Sequence, residues 1–286
     1  MIQGIDGNFY GTTTYGGANS DHGTVFKITP SGTLTTLYSF CSKSGCTDGA
    51  YPPSAVVQGM DGNFYGTAQD GGNTNSCPYG CGTVFKMTSG GRLTTLYTFC
   101  TQGGDCADGA TPYDLVRGTD GNFYGTTATG GGSSGCGSGC GTIFAITPTG
   151  AFTTLFSFDY TYGAYPYVGG LVQDTNGTLY GTTGDGGAST NCASGCGTVF
   201  SLAVAGLGPF VEAEPPFGKV GSAIRILGTN LMGASSVTFN GTPAVFKVLS
   251  PTEIGAVVPA GASSGAVQVV TPSGTLSSNV HFRVLR

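Results

Sequence analysis

Ten cysteines fall into five tight pairs: Cys41/Cys46, Cys77/Cys81, Cys100/Cys106, Cys136/Cys140 and Cys192/Cys196. Three of the pairs share the form C-x-x-x-C-G-T, just ahead of a Val/Ile-Phe dipeptide. Two chemistries suit such pairs, thiolate ligation of a metal and local disulfides. Zinc takes four ligands, commonly from C-x₂₋₄-C knuckles brought together in twos. Here the pairs lie about one repeat apart and histidine is nearly absent, so the disulfide reading is favoured. Each bridge would close a short Gly-rich loop and stabilise by about 2 kcal/mol. Disulfides also place the chain outside the reducing cytosol.

The carboxylates offer a second chemistry. Asp6, Asp61 and Asp120 recur inside G-x-D-G-N-F-Y-G-T. That pattern fits either a calcium ligand or a hairpin turn. A calcium loop of the EF-hand kind needs several oxygen ligands and a closing Glu. Residues 1–211 contain no Glu, so the turn reading is favoured. Asp70 and Asp185 precede a Gly-Gly pair, but Tyr15 and Thr129 stand there in the other repeats. Aspartates from different repeats could meet as a hydrolytic pair, yet nothing in the sequence marks one. His22 stands where other repeats carry the second cysteine of the loop and reads as loop-filling. His281 sits in an alternating terminal segment and reads as structural. There is no G-x-S-x-G elbow, H-E-x-x-H or phosphate loop. No catalytic residue, metal or cofactor is assigned, and a non-enzyme is expected.

Two further groups are candidate contacts. Tyr160 and Tyr162 lie where two other repeats carry Cys41/Cys46 and Cys100/Cys106. Packing in place of a disulfide is favoured over contact with a glycan or protein partner. Asn176-Gly-Thr178 and Asn240-Gly-Thr242 are formal glycosylation sequons.

These residues are carried by a tandem array. The G-x-D-G-N-F-Y-G-T motif begins at Gly4, Gly59 and Gly118, with a degenerate copy from Asp174 to Thr182. Each is followed by Gly-Thr-Val/Ile-Phe, ending at Phe26, Phe85, Phe144 and Phe200. The spacing between these phenylalanines is 59, 59 and 56 residues. A fixed period means one supersecondary unit copied in tandem. Within one copy, Ser54–Gln58, Asn63–Thr67, Thr83–Thr88 and Leu93–Phe99 read as strands separated by Gly/Asn turns. Leu93, Thr95, Tyr97 and Phe99 are expected on one side of the last strand. Strands without a charged face fit sheets covered on both sides. Four short antiparallel strands per repeat describe a propeller blade. The expectation is an all-β fold of about four blades, as a β-propeller or an open blade array. Blade one has little innermost strand, and blade four lacks a counterpart to Leu93–Phe99.

The Tyr-Gly-Thr triplets (Tyr10, Tyr65, Tyr124, Tyr180), the Gly-Gly pairs (Gly16-Gly17, Gly71-Gly72, Gly130-Gly131, Gly186-Gly187) and the Gly-Thr-Val/Ile-Phe blocks resemble the GloVer-type tandem repeat of bacterial surface proteins. The resemblance covers residues 1 to about 203. It implies a secreted or surface-anchored protein of undefined activity, although no C-terminal sorting anchor is visible. After Gly206 cysteine disappears and Pro209, Pro215 and Pro216 mark a new domain. Pro215, Gly218, Gly221, Ile226–Asn230, Val237–Gly241, Val258-Pro259 and Val269–Gly274 resemble an immunoglobulin-like TIG (IPT) domain. That family implies a small sandwich that packs beside other domains or binds partners. The expected division is 1–205 for the repeats, 206–214 for a linker and 215–286 for the Ig-like β-sandwich.

Composition narrows the partners. Only 9% of residues are charged, against about 25% in an ordinary soluble protein. Net charge is −5 and no basic run exists, so nucleic acid is set aside. No stretch approaches the ~20 apolar residues of a membrane span. No secretory leader is visible, and Ile2-Gln3-Gly4 already matches the repeat, so a missing N-terminal piece is expected. Together these features predict a non-enzymatic structural or interaction protein, extracellular or on the cell surface. Head-to-tail self-association into a fibre is expected, because the incomplete fourth blade leaves a sheet edge that can template pairing. The alternative is a glycan-binding or glycan-cleaving propeller protein.

Overall fold

The computed structural model describes residues 1–73, 75–102, 106–133, 135–167, 169–189 and 191–285. The fold is all-β and divides into two compact units. The first comprises Met1–Arg117, Gly121–Val172 and Tyr180–Ser201. The second comprises Gly118–Asp120, Gln173–Leu179 and Leu202–Arg286.

Three repeats each form a four-stranded antiparallel sheet in sequence order. The first holds β1 (Ile2–Gln3), β2 (Phe9–Thr13), β3 (Thr24–Ile28) and β4 (Leu34–Ser39). The second holds β5 (Val57–Gln58), β6 (Phe64–Ala68), β7 (Thr83–Met87) and β8 (Leu93–Thr98). The third holds β9 (Ala110–Arg117), β10 (Phe123–Thr129), β11 (Thr142–Ile146) and β12 (Phe152–Ser157). The fourth has three strands, β13 (Val172–Gln173), β14 (Leu179–Thr182) and β15 (Val199–Leu202). β1 is as long as β5, so the first sheet is as complete as the second, whereas among the described residues no strand follows β15 in the fourth sheet.

The Tyr-Gly-Thr triplet explains how the sheets stack. Gly66 pairs across the ladder with Phe85, and Gly11 with Phe26. A methyl on either glycine would meet the phenylalanine ring at 2.6 Å. The glycine is therefore the seat on which the Gly-Thr-Val-Phe ring lies. The tyrosine before it reaches the next repeat: Tyr10 stacks on Phe64 at 3.9 Å and Tyr65 on Phe123 at 4.0 Å. The threonine after it donates forward as well. Thr12 Oγ1 reaches Ser54 O at 2.6 Å, Thr67 Oγ1 reaches Tyr113 O at 2.9 Å, and Thr126 Oγ1 reaches Pro166 O at 2.7 Å. One buried cluster thus joins repeats one and two through Tyr10, Val25, Phe40, Phe64 and Phe85. Another joins repeats two and three through Tyr65, Val84, Phe99, Phe123 and Phe144.

One expectation about the outer strand is corrected. Phe85 pairs with Thr95 and Val84 with Tyr97, so Leu96 is an extra residue in the ladder. Adjacent residues of β7 face opposite sides, so Thr95 and Tyr97 do too. Leu93 and Thr95 therefore do not share a face with Tyr97. The same irregularity recurs between β3 and β4 and between β11 and β12.

The second unit contains an Ig-like sandwich of two four-stranded sheets. One orders β16 (Glu212–Glu214), β18 (Ala223–Leu227), β22 (Glu253–Val257) and β21 (Phe246–Ser250). The other orders β20 (Thr242–Pro243), β19 (Ser236–Phe239), β23 (Val267–Thr271) and β24 (Gly274–Ser277). A short parallel pair joins β17 (Phe217–Lys219) to β25 (Arg283–Leu285). Alternation with period two aims Ile224, Ile226, Val237, Phe239, Val267 and Val269 into one core. The turns at 118–120 and 173–179 group with this unit. Phe210 N–H and Thr229 Oγ1 both donate to Thr175 O, at 2.9 and 3.4 Å.

A repeated hydroxyl pair yields a test. Thr13 and Thr24 bond at 2.9 Å, Thr127 and Thr142 at 2.9 Å, and Thr183 and Thr198 at 3.0 Å. In repeat two Ala68 faces Thr83, and the buried Thr83 Oγ1 has no partner. An Ala68→Thr variant should therefore gain about 1 kcal/mol of unfolding free energy. Thermal and denaturant unfolding read the gain. A loss of stability would mean that this site does not follow the other three.

Candidate functional site

The turn aspartates act as locks within their own motif. Asp6 Oδ1 accepts the Asn8 N–H at 3.1 Å, and Oδ2 accepts Asn8 Nδ2 and the Tyr10 hydroxyl, both at 2.8 Å. Asp61 does the same with Asn63 and Tyr65 and adds Lys86 Nζ at 2.8 Å. Burial alone would raise both carboxyls. Hydrogen bonds outweigh it and hold them below the ordinary carboxylate range, Asp61 well below. Burial and the Asp6 carboxylate push the Tyr10 hydroxyl up to about 12. Asp120, at the same place in the third copy, also has an interaction partner. In the degenerate fourth copy Asn176 Oδ1 accepts the Thr178 N–H at 2.7 Å.

All ten cysteines are joined in the five local disulfides. Distance along the sequence does not keep the pairs apart in space, however. The sulfurs of Cys77, Cys81, Cys100 and Cys106 lie within 4.8 Å of one another, because both loops lie at the same end of the second repeat. The His22 ring and the Cys41 and Cys46 sulfurs form a similar group. A metal takes up thiolates, and these sulfurs are bonded to each other.

The first repeat shows what replaces a bridge. Gly71, Gly130 and Gly186 donate their N–H to Tyr79 O, Ser138 O and Ser194 O inside the bridged loops. Gly16 instead donates to the Asp21 carboxylate. His22 holds the place of Cys81 and Cys140: Tyr51 N donates to His22 O as Thr111 N does to Cys81 O and Tyr165 N to Cys140 O. Its Nδ1 lies 2.7 Å from Asn19 O, and its ring lies 5.1 Å from Tyr51.

Tyr160 and Tyr162 are placed by the same logic. Cys46, Cys106 and Tyr160 all have positive φ. Their carbonyls accept the N–H of Gly72, Gly131 and Gly187 in turn. Tyr160 also bonds Gly163 O through its own N–H, as Cys41 bonds Gly49 O. One residue thus does what Cys41 and Cys46 do together with their Cα atoms 4.1 Å apart. The disulfide pins the base of an inserted loop that the third repeat lacks. The Tyr160 hydroxyl donates to Ser194 O at 2.7 Å. Tyr162 is 64% exposed and makes an edge contact with Phe156.

Sequence reasoning missed two buried carboxylates. Asp48 and Asp108 are fully buried. Asp48 accepts Tyr38 OH at 2.6 Å and Ser42 N at 2.9 Å; Asp108 accepts Tyr97 OH at 2.7 Å. Burial opposes ionisation of Asp48, but these bonds keep its carboxyl below the ordinary range. The signal was present as Asp-Gly-Ala in repeats one and two. In repeat three both partners change, Tyr to Phe156 and Asp to Tyr162. Burial pushes Asp70 and Asp114 up, and neither has a neighbouring carboxylate as a cause. Asn176 and Asn240 are exposed, but Asn240 Nδ2 donates to Ser263 Oγ at 2.8 Å. His281 is exposed beside β25. On the sandwich, a cavity of about 480 Å³ is lined by Glu214, Arg225, Phe246, Lys247 and Val257.

Two outcomes follow. Peptide mapping without reduction should recover the five bridges, and replacing Cys77 and Cys81 by Ser should cost about 2 kcal/mol. A thiol that reacts before reduction would contradict the pairing. The depressed Asp61 carboxyl stabilises the fold above its unfolded value near 3.8 and loses that effect as pH falls. Asp70 and Asp114, being raised, act in the opposite direction, so the variant rather than the whole profile is the probe. Asp61→Asn should destabilise at pH 7, and the deficit should shrink at pH 3. An equal deficit at both would refute the turn-lock role.

No curated protein matches the chain. Among solved structures it is similar to a luciferin-regenerating enzyme at 12% identity and TM-score 0.45, covering 72% of this chain and 61% of that one. It is also similar to PorZ, a bacterial surface component of the type-IX secretion system of Porphyromonas gingivalis, at 15% identity and TM-score 0.32, covering 99% and 44%. A third structure, determined with a xylogluco-oligosaccharide, matches at 17% identity and TM-score 0.24, covering 73% and 46%. This chain therefore spans less than two thirds of each. Residues 210–284 match the IPT/TIG domain. Residues 1–242 match the Gloeobacter/Verrucomicrobia repeat, the family to which this chain belongs.

Proposed function

We propose that this chain is a secreted or cell-surface structural and interaction protein that works through its repeat array and associates head-to-tail with further copies. One observation carries the reading. Most of the side chains with chemical potential named above are engaged in building the repeat: Asp6 and Asp61 in turns, Asp48 and Asp108 under tyrosines, and ten cysteines in bridges. The bridges support an oxidising compartment. No helix among the described residues is long and apolar enough to cross a membrane. The three-stranded fourth sheet supports association, because an uncovered edge can pair with another chain.

A glycan-binding reading is favoured by exposed aromatic rings, Tyr15 at 66%, Tyr79 at 80% and Tyr162 at 64%. Sedimentation and electron microscopy of the purified chain, beside a polysaccharide panel, separate the two. The expected result is concentration-dependent assembly with a regular axial repeat and no sugar turnover. Monomers at every concentration, with sugar binding abolished by Tyr162→Ala, would replace the structural reading with the glycan one.

A further inference from the structure

We propose that β15 accepts, in trans, the fourth strand of a repeat carried by another chain of this repeat family. The inference rests on the reading of the chain as an interaction protein and adds to it a surface and a partner sequence.

The other three repeats serve as internal templates. Val25, Val84, Ile143 and Val199 occupy the same position in Gly-Thr-Val/Ile-Phe. The first three are 0%, 0% and 1% exposed, and Val199 is 80% exposed. Cys81 and Cys140 are fully buried, while their counterpart Cys196 is exposed. In repeat two Val84 pairs with Tyr97 of β8 and shares a cluster with Phe99 and with Phe123 and Phe144 of repeat three, so its cover is the fourth strand together with the following repeat. Phe40, Phe99 and Phe158 then donate their N–H to the carbonyls of Gly23, Gly82 and Gly141. Phe144 stacks on Phe152 of its own fourth strand at 5.3 Å, a contact for which Phe200 has no counterpart strand.

Among the described residues no fourth strand follows β15 in its sheet. In repeats one to three a glycine turn returns it, with Gly32 N bonding Thr29 O, Gly91 N bonding Thr88 O and Gly150 N bonding Thr147 O. After β15 the turn is Leu207 N to Val204 O, and the chain runs into the sandwich. The missing element therefore has a defined sequence type. Its three internal versions are Leu34-Thr-Thr-Leu-Tyr-Ser-Phe40, Leu93-Thr-Thr-Leu-Tyr-Thr-Phe99 and Phe152-Thr-Thr-Leu-Phe-Ser-Phe158. Main-chain bonds would give such a strand its affinity, and the aromatic and terminal Phe positions would give it specificity.

The experiment titrates the full chain with a fluorescent peptide of residues 92–99 and follows amide exchange in the same sample. One-to-one binding with protection at 199–202 is expected. Val199→Lys, a change at an exposed position, should weaken binding at least about tenfold, because an edge lysine resists strand pairing. A peptide with Thr95→Pro should not bind. Absence of binding at millimolar peptide, equal binding to the lysine variant, or protection at another strand would each overturn the proposal. Copies that still assemble while the peptide fails would remove this edge as the contact and leave the interaction reading standing.

Discussion

Everything in the repeat unit depends on one contact, a phenylalanine ring packed against a glycine. A ring in that position is buried on the side where a Cβ would otherwise stand, so the neighbouring sheet can approach closely. Burial of such a ring contributes about 1.5–3 kcal/mol. The tyrosine beside the glycine extends the contact into the next repeat, where stacked pairs add about 0.5–1.5 kcal/mol beyond their area. The tyrosine hydroxyl, at the edge of this apolar layer, needs a partner, and the turn aspartate supplies it. The aspartate in turn fixes the hairpin that delivers the tyrosine. Ring, glycine, hydroxyl and carboxylate are therefore one cooperative device. A change in any one of them disturbs two repeats.

Much of this was legible in the sequence because tandem copying exposes it. The period, the four strands per copy, the five cysteine pairs and the incomplete fourth copy are all visible as alignments of the chain with itself. What remained hidden was geometry at right angles to the chain. Cys77–Cys81 and Cys100–Cys106 are separated along the sequence by two strands, yet those strands run antiparallel and return to the same end. The phase of β8 was misread because Leu96 adds a residue to the ladder without changing the hydrophobic pattern. The buried Asp48 and Asp108 were missed because Asp-Gly normally marks a solvent turn, and only the tyrosine ten or eleven residues earlier reveals the bond.

Differences among the copies act as natural substitutions. Where repeats one and two insert a loop, a disulfide pins its base; where repeat three has no insertion, Tyr160 makes both hydrogen bonds by itself. Where repeat one has a shorter loop, the Asp21 carboxylate stands in for a backbone carbonyl. Phe156 and Tyr162 have lost a hydroxyl and a carboxylate together, which leaves no buried charge without its donor. In the first two cases the position changes its chemistry and keeps its hydrogen bonds, and in the third the donor and the acceptor are lost together. That pattern identifies these polar groups as constrained by folding.

A chain with this many glycines loses unusual conformational freedom on folding. Local bridges reduce that cost at the loops, and inter-repeat stacking offsets it in the strands. The stacking term exists only where a repeat has a neighbour. The fourth copy is therefore less covered than the second, as the contrast between Val84 and Val199 records. Internal repeats can vary at loop tips such as Tyr79 without touching the ring-on-glycine contact, whereas the last repeat cannot be completed by any change of its own side chains. Its deficit is a missing strand. The constraint that gives the array its stability thus also fixes where its last sheet lacks a strand, and that place is set by the backbone before any surface residue is chosen.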